Sequence, residues 1–169
     1  MIKYTNQPKE LEPYNIQEDL SMKEEITALL IKEAFKARKM AYAPYSNYLV
    51  GAALIVPSGN IYTGCNVENA SYGLTICAER NAIFKAVSEG QRHINAIAIV
   101  GGALDANIAS VEDDSFIVDG DYAYPCGACR QVMAEFLPES GDIDVIVARS
   151  LDDYKLYKLS ELLPGVFSI

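Results

Sequence analysis

The chain has 169 residues, half of them hydrophobic, enough for one well-buried core and too few to expect two domains. A formal net charge of −9 would repel a phosphate backbone, which argues against nucleic acid as a partner. No run of 18 apolar residues occurs, and Met1 to Pro13 lacks a basic stretch followed by an apolar one, so we expect a cytoplasmic protein with no membrane partner.

Residues 1–20 lack apolar periodicity and contain Pro8 and Pro13, so they read as an N-terminal extension, disordered or draped on the surface, before a single domain over 21–169. Ser21 and Glu24 match a capping box, and Ile26, Leu29, Leu30, Ala34, Ala37 and Ala41 recur at helical spacing until Pro44. That predicts a first helix. Tyr48 to Val56 and Asn60 to Thr63 flank Pro57-Ser58-Gly59, which predicts an antiparallel hairpin. Gly64 to Gly73 reads as a loop, and Thr75 to Ser88 as a second helix that stops before Gly90.

Ile94 to Val100 is apolar and β-branched, as suits a strand covered on both faces, and Ile143 to Ala148 repeats that character after a helix over Gly127 to Phe136. Strand, helix, strand implies parallel pairing. Ala103 to Asp121 holds six acids (Asp105, Glu112, Asp113, Asp114, Asp119, Asp121) and no Lys or Arg, and reads as a surface insertion with room for a small hairpin through Phe116-Ile117-Val118. Ser160 is placed to cap a short helix ending at Pro164. The pieces make an α/β domain of three layers with a mixed sheet of about five strands, in which helix starts carry chemistry at strand ends.

The chemistry concentrates in two stretches, Thr75-Ile76-Cys77-Ala78-Glu79-Arg80 and Pro125-Cys126-Gly127-Ala128-Cys129-Arg130. Alone, Cys126 and Cys129 could be a structural metal knuckle or a redox pair. Cys77 supplies a third soft ligand, and three thiolates suit Zn²⁺ with its fourth position open, the pattern of a catalytic rather than a structural site. Without an export signal, this spacing favours metal over disulfides. Glu79, two residues from Cys77, has the reach for general acid/base work. Helix N-termini and Arg80 would offset the negative charge of three thiolates, although Arg80 could equally face solvent. Cys65 reads as a small core residue and His93 as a surface one. Asn66 and Glu68, two apart, leave an extended segment on one face; they suit a diol, or else an Asx turn beside a solvated acid.

These motifs, with Ala43-Pro44-Tyr45-Ser46, Val50-Gly51-Ala52-Ala53, Gly64-Cys65-Asn66-Val67-Glu68-Asn69-Ala70 and Glu161-Leu162-Leu163-Pro164-Gly165, make the chain resemble cytidine deaminases of the compact three-cysteine kind, from about Ile26 to Phe167. The resemblance implies a three-layer α/β/α cytidine deaminase-like fold. It also implies zinc held by Cys77, Cys126 and Cys129, with Glu79 shuttling protons in the hydrolysis of cytidine or deoxycytidine to uridine or deoxyuridine plus ammonia. It assigns Asn66 and Glu68 to the ribose, Arg80 to the sulfurs of Cys126 or Cys129, and backbone of Ala78 and Pro125 to the base edge. Tyr48 stands where the family usually has a Phe packed on the pyrimidine. Tyr72 and Phe167 match positions that reach a neighbouring subunit's site in a homotetramer; ordinary packing is the plainer account of both. A deaminase of another aminopyrimidine, a zinc-stabilised binding module without turnover and a polynucleotide editor are the rivals. The ribose pair, Glu79 and the acidic charge weigh against them in that order.

Overall fold

The computed structural model describes residues 16–103 and 117–167, with side chains from Lys23 onward. Five strands form one sheet in the order β2-β1-β3-β4-β5: β1 is Tyr48–Ile55, β2 Ile61–Cys65, β3 Ala96–Ala103, β4 Asp144–Ala148 and β5 Tyr154–Lys158. Only β3 and β4 run parallel, joined through α3 (Gly127–Ala134); the hairpin and the remaining pairs are antiparallel. The expected mixed sheet is therefore present.

Alternation along the strands divides the core. Ile97 and Ile99 of β3, with Val145 and Val147 of β4, pack on one face beneath α2 (Ala78–Ser88) and α3. Ala98, Val100, Ile146 and Ala148 point to the other face, where Leu30, Ile31, Ala34 and Phe35 of α1 (Ile16–Arg38) cover them. Truncating a fully enclosed residue such as Ile97 to Ala should cost about 2–5 kcal/mol. Both helix layers lie close to the sheet. A Cβ at Gly51 would sit 2.0 Å from the Ala34 carbonyl oxygen, and one at Gly64 would sit 2.4 Å from the Ala82 nitrogen. Only hydrogen fits there.

The boundaries correct several expectations. The first helix begins at Ile16, so Ser21 lies inside it and does not cap it; after Pro13 the segment Gln17-Glu18-Asp19-Leu20 offers nothing that breaks a helix. It ends at Arg38, well before Pro44, in tight turns that donate from Lys39, Met40 and Ala41 to carbonyls three residues back. Tyr42 then pairs with Val67. Leu29 faces outward, 44% exposed, whereas Ile31 and Phe35 are buried. Ser160 does not cap α4 (Leu159–Leu162): Lys158 is its N-cap, and the backbone N–H of Lys158 donates to Glu161 Oε2 at 2.6 Å. The Ser160 hydroxyl instead donates to Asp142. Strand β5, largely exposed at the sheet edge, carries no apolar run that marks it in the sequence.

Of the acidic stretch, residues 104–116, Phe116 among them, lie outside the described residues. Ile117 makes a single antiparallel bridge to Ser150, and Val118 is buried against α1. At this end of the stretch Val118 joins the core; the rest of the expected insertion and hairpin lies outside the described residues.

Candidate active site

Each of the two central helix starts is capped by a cysteine. Cys77 precedes α2 and Cys126 precedes α3, both extended in backbone, and neither side chain bonds the helix it opens. A Ser or Asp there would spend its oxygen on the helix N–H groups; these thiols stay available. Cys129, one turn into α3, completes the set. The three Sγ atoms lie within 4.8 Å of one another, with Cys77 to Cys126 at 3.9 Å and Cys126 to Cys129 at 3.5 Å. Tetrahedral zinc with Zn–S near 2.3 Å would separate its sulfurs by roughly 3.8 Å. The donor set fits zinc in chemistry and in spacing.

Electrostatics favour the thiolate at Cys77. Cys77 is held down to about 5, chiefly by a hydrogen bond from Cys129 and then by Arg80, while that shared proton and burial push Cys129 up. Arg80 Nη2 lies 3.6 Å from Cys77 Sγ and donates to the Thr75 carbonyl at 3.1 Å. Its nearest sulfur is that of Cys77, three residues back at the start of the same helix, and the Cys129 sulfur also draws on its charge. Glu79, 4% exposed, is lifted to about 7, first by burial and then by the Cys77 charge. A carboxyl of that kind can hold and release a proton near neutrality.

A cavity of about 380 Å³ opens over these groups. Its lining includes Tyr48, Asn66, Cys77, Ala78, Glu79 and Cys126, six residues the sequence singled out, together with Val50, Thr75, Ile99, Tyr122, Ala123 and Tyr124, which it did not. The tyrosines just before Pro125-Cys126 were the signal available. Tyr124 and Tyr157 pair through their hydroxyls at 3.0 Å, and Lys155 Nζ lies 4.3 Å over the Tyr122 ring.

Asn66 and Glu68 are both buried while Val67 between them is 43% exposed, so they do share a face. The Asn66 amide donates to the Tyr48 carbonyl and accepts from the Val50 N–H, at 2.9 and 2.8 Å. Glu68 accepts from the backbone of Tyr45 and Ser46 and does not line the cavity; bonds from Ser46 and Tyr45 hold its carboxyl below the usual range. Pro125 is buried, and its carbonyl accepts from Arg130 Nε at 2.8 Å. Tyr72 and Phe167 are 71% and 72% exposed and stay outside this chain's cavity. His93 is on the surface, its ring nitrogen 2.7 Å from the Leu137 carbonyl, and Cys65 is half-buried with its thiol on the Met40 carbonyl.

The model of the cytidine and deoxycytidylate deaminase zinc-binding region matches residues 24–142. A cytidine deaminase of Halalkalibacterium halodurans is 49% identical over 140 residues, spanning 83% of this chain and 92% of the relative. One from Sporosarcina psychrophila is 45% identical over 139 residues, 82% of this chain and 89% of its own. The crystal structure of cytidine deaminase from Burkholderia pseudomallei superposes with a TM-score of 0.67 at 42% identity, covering 82% of this chain and 97% of that one. Thiols, buried carboxyl, sheet order and sequence agree: the chain belongs to the cytidine deaminase family of zinc enzymes.

Proposed function

We propose that this protein hydrolyses cytidine, and deoxycytidine with it, to the uracil nucleoside and ammonia, as a step of pyrimidine salvage. The observation that carries this reading is a buried carboxyl poised near neutrality in the same cavity as Cys77 and Cys126, whose thiols cluster with that of Cys129 beneath. Cys77, Cys126 and Cys129 would hold zinc, which when bound supplies the Lewis acidity that makes water nucleophilic at neutral pH. Glu79 takes one proton from that water as the water oxygen bonds to C4 and passes it to N3 of the pyrimidine; it then takes the second proton from the new C4 hydroxyl and gives it to the exocyclic amine as the C4–N bond breaks, leaving the C4 carbonyl. Water in and ammonia out balance the reaction. Tyr48 packs on the base, and the Ala78 and Pro125 backbone faces its amide edge. Asn66 and Glu68 serve the ribose, Glu68 by shaping the Tyr45–Ser46 turn as well as by contact.

Residues 21–169 act as one catalytic domain, and 1–20 as an extension whose end continues into α1. A homotetramer with shared sites is supported by Tyr72 and Phe167, large aromatics left outside their own cavity. A cytoplasmic location suits four free cysteines, and no helix among the described residues is long and apolar enough to cross a membrane. Ultraviolet monitoring of the purified protein with cytidine, deoxycytidine, cytosine and cytidine monophosphate tests the activity. Turnover of the two nucleosides is expected, and none on any substrate would refute the reading. Deleting Val166 to Ile169 should impair turnover and leave zinc in place, with light scattering reading the assembly.

A further inference from the structure

Arg38 ends α1 on the face of the sheet opposite the thiols, and it is 1% exposed. No carboxylate among the described residues pairs with it. Its guanidinium instead spends its donors on backbone. Nε donates to the Leu49 carbonyl at 2.9 Å, and Nη2 to the carbonyls of Gly102 and Ala103 at 2.8 and 2.9 Å. These are the first residues of β1 and the last of β3, paired Leu49 to Gly102 and Tyr48 to Ala103. One side chain therefore ties two strand ends together from behind. Burying an unpaired cation is costly, and burial does lower the Arg38 pKa. A cost of that kind calls for a return.

The return lies on the other side of the sheet. Tyr48 and Val50, which flank Leu49, form a wall of the cavity. Pairing with β2 begins only at Gly51, so the stretch 48–50 lacks a strand partner on that edge. There Asn66 substitutes, holding the Tyr48 carbonyl and the Val50 N–H through its side-chain amide. The wall is thus gripped by Asn66 along one edge and by Arg38 behind. The end of α1 lies directly against β1 here: a Cβ at Gly51 would come within 2.4 Å of the Arg38 backbone nitrogen. The Arg38 charge also reaches Tyr48, whose hydroxyl burial raises and Arg38 lowers.

We propose that Arg38 is a positioning residue for pyrimidine binding, setting the depth of Tyr48 and Val50 by fixing the carbonyls of Leu49, Gly102 and Ala103. The inference rests on reading the Tyr48 cavity as the substrate pocket. It separates binding from chemistry, because Glu79 and the thiols hang from α2 and α3, which Arg38 does not touch. Arg38→Met keeps the bulk and removes every donor, whereas Arg38→Lys keeps the charge and can reach fewer carbonyls.

The test measures uridine affinity by calorimetry, KM and kcat for cytidine, and zinc per chain, on the full-length zinc-loaded protein. Arg38→Met should raise the uridine Kd and the cytidine KM together by about tenfold, as expected for lost charge-assisted bonds. Zinc should remain, and kcat should fall far less. Arg38→Lys should recover part of the affinity, and it alone decides if the Met variant does not fold. Unchanged Kd and KM in a folded variant would overturn the proposal, as would zinc and kcat falling together while KM stays fixed. A wild-type protein that leaves cytidine untouched would sink the proposed function; wild-type turnover with an indifferent Arg38 variant sinks only this inference.

Discussion

The starts of α2 and α3 are built on one plan and do different work. Both take a cysteine as N-cap and leave its thiol uncommitted. At the second helical position α2 buries Glu79, where α3 exposes Ala128. At the third, α2 carries Arg80 against the Cys77 sulfur, where α3 carries a second thiol, Cys129, fully buried. On the proposed function the start of α3 would only bind metal, while that of α2 would bind it, temper its charge and hold the mobile proton. A helix N-terminus offers positive potential to any anion, and the residue types at its first three positions decide how that potential is used.

Replacing single positions should pull the two starts apart, beginning with the metal. Cys129→Ala removes the one ligand with no solvent contact, and should abolish both zinc retention and turnover, read by metal analysis beside the ultraviolet assay. Glu79→Gln should lower turnover by about 10² to 10⁴ with zinc still at one per chain. Loss of zinc there would mean that Glu79 holds the site together rather than moving a proton. Arg80→Gln should cost about 10- to 100-fold in zinc affinity or activity, as a group supporting a metal ligand does; a competition titration with a chromogenic chelator measures it. The first-turn arginine of α3, Arg130, one position further along than Arg80 on α2, donates to the carbonyls of Pro125 and Leu162. Arg130→Gln should accordingly leave zinc affinity unchanged and lower stability by about 1–3 kcal/mol, seen in thermal melts.

The same contrast explains what could be read from the sequence. Cys77 and Glu79, or Cys126 and Cys129, are neighbours in the chain, and their geometry follows from one helical turn. So do the β1–β2 hairpin, whose turn residues announce it, and the parallel β3–β4 pair, whose handedness rule needs only a helix between strands. Tyr122 and Tyr124 enter the cavity only because β5 and α3 are folded beside it, and no local pattern states that. Arg38 is an intermediate case. It falls four residues after Ala34, on the buried stripe of α1, so the spacing could have placed it inside; its charge argued otherwise. The short strand β5 alternates Tyr, Lys and Leu, yet with Tyr154, Lys155 and Leu156 exposed at the sheet edge it lacks the apolar run that revealed β3.

Cys77 and Cys126 stand 49 positions apart, with β3 and the acid-rich segment between them. Any ion gripped by both acts as a cross-link on the unfolded chain as well as a reagent. A covalent bridge closing a loop of that size would remove conformational freedom worth about 4 kcal/mol. The dependence on loop size is logarithmic, so a dozen further residues inside the ring change that figure by only a few tenths of a kcal/mol. The metal clasp therefore makes the connection between β3 and α3 a permissive place for extra sequence. A long acidic stretch can be carried there almost without thermodynamic consequence, as long as both ends of the ring return to the same ion.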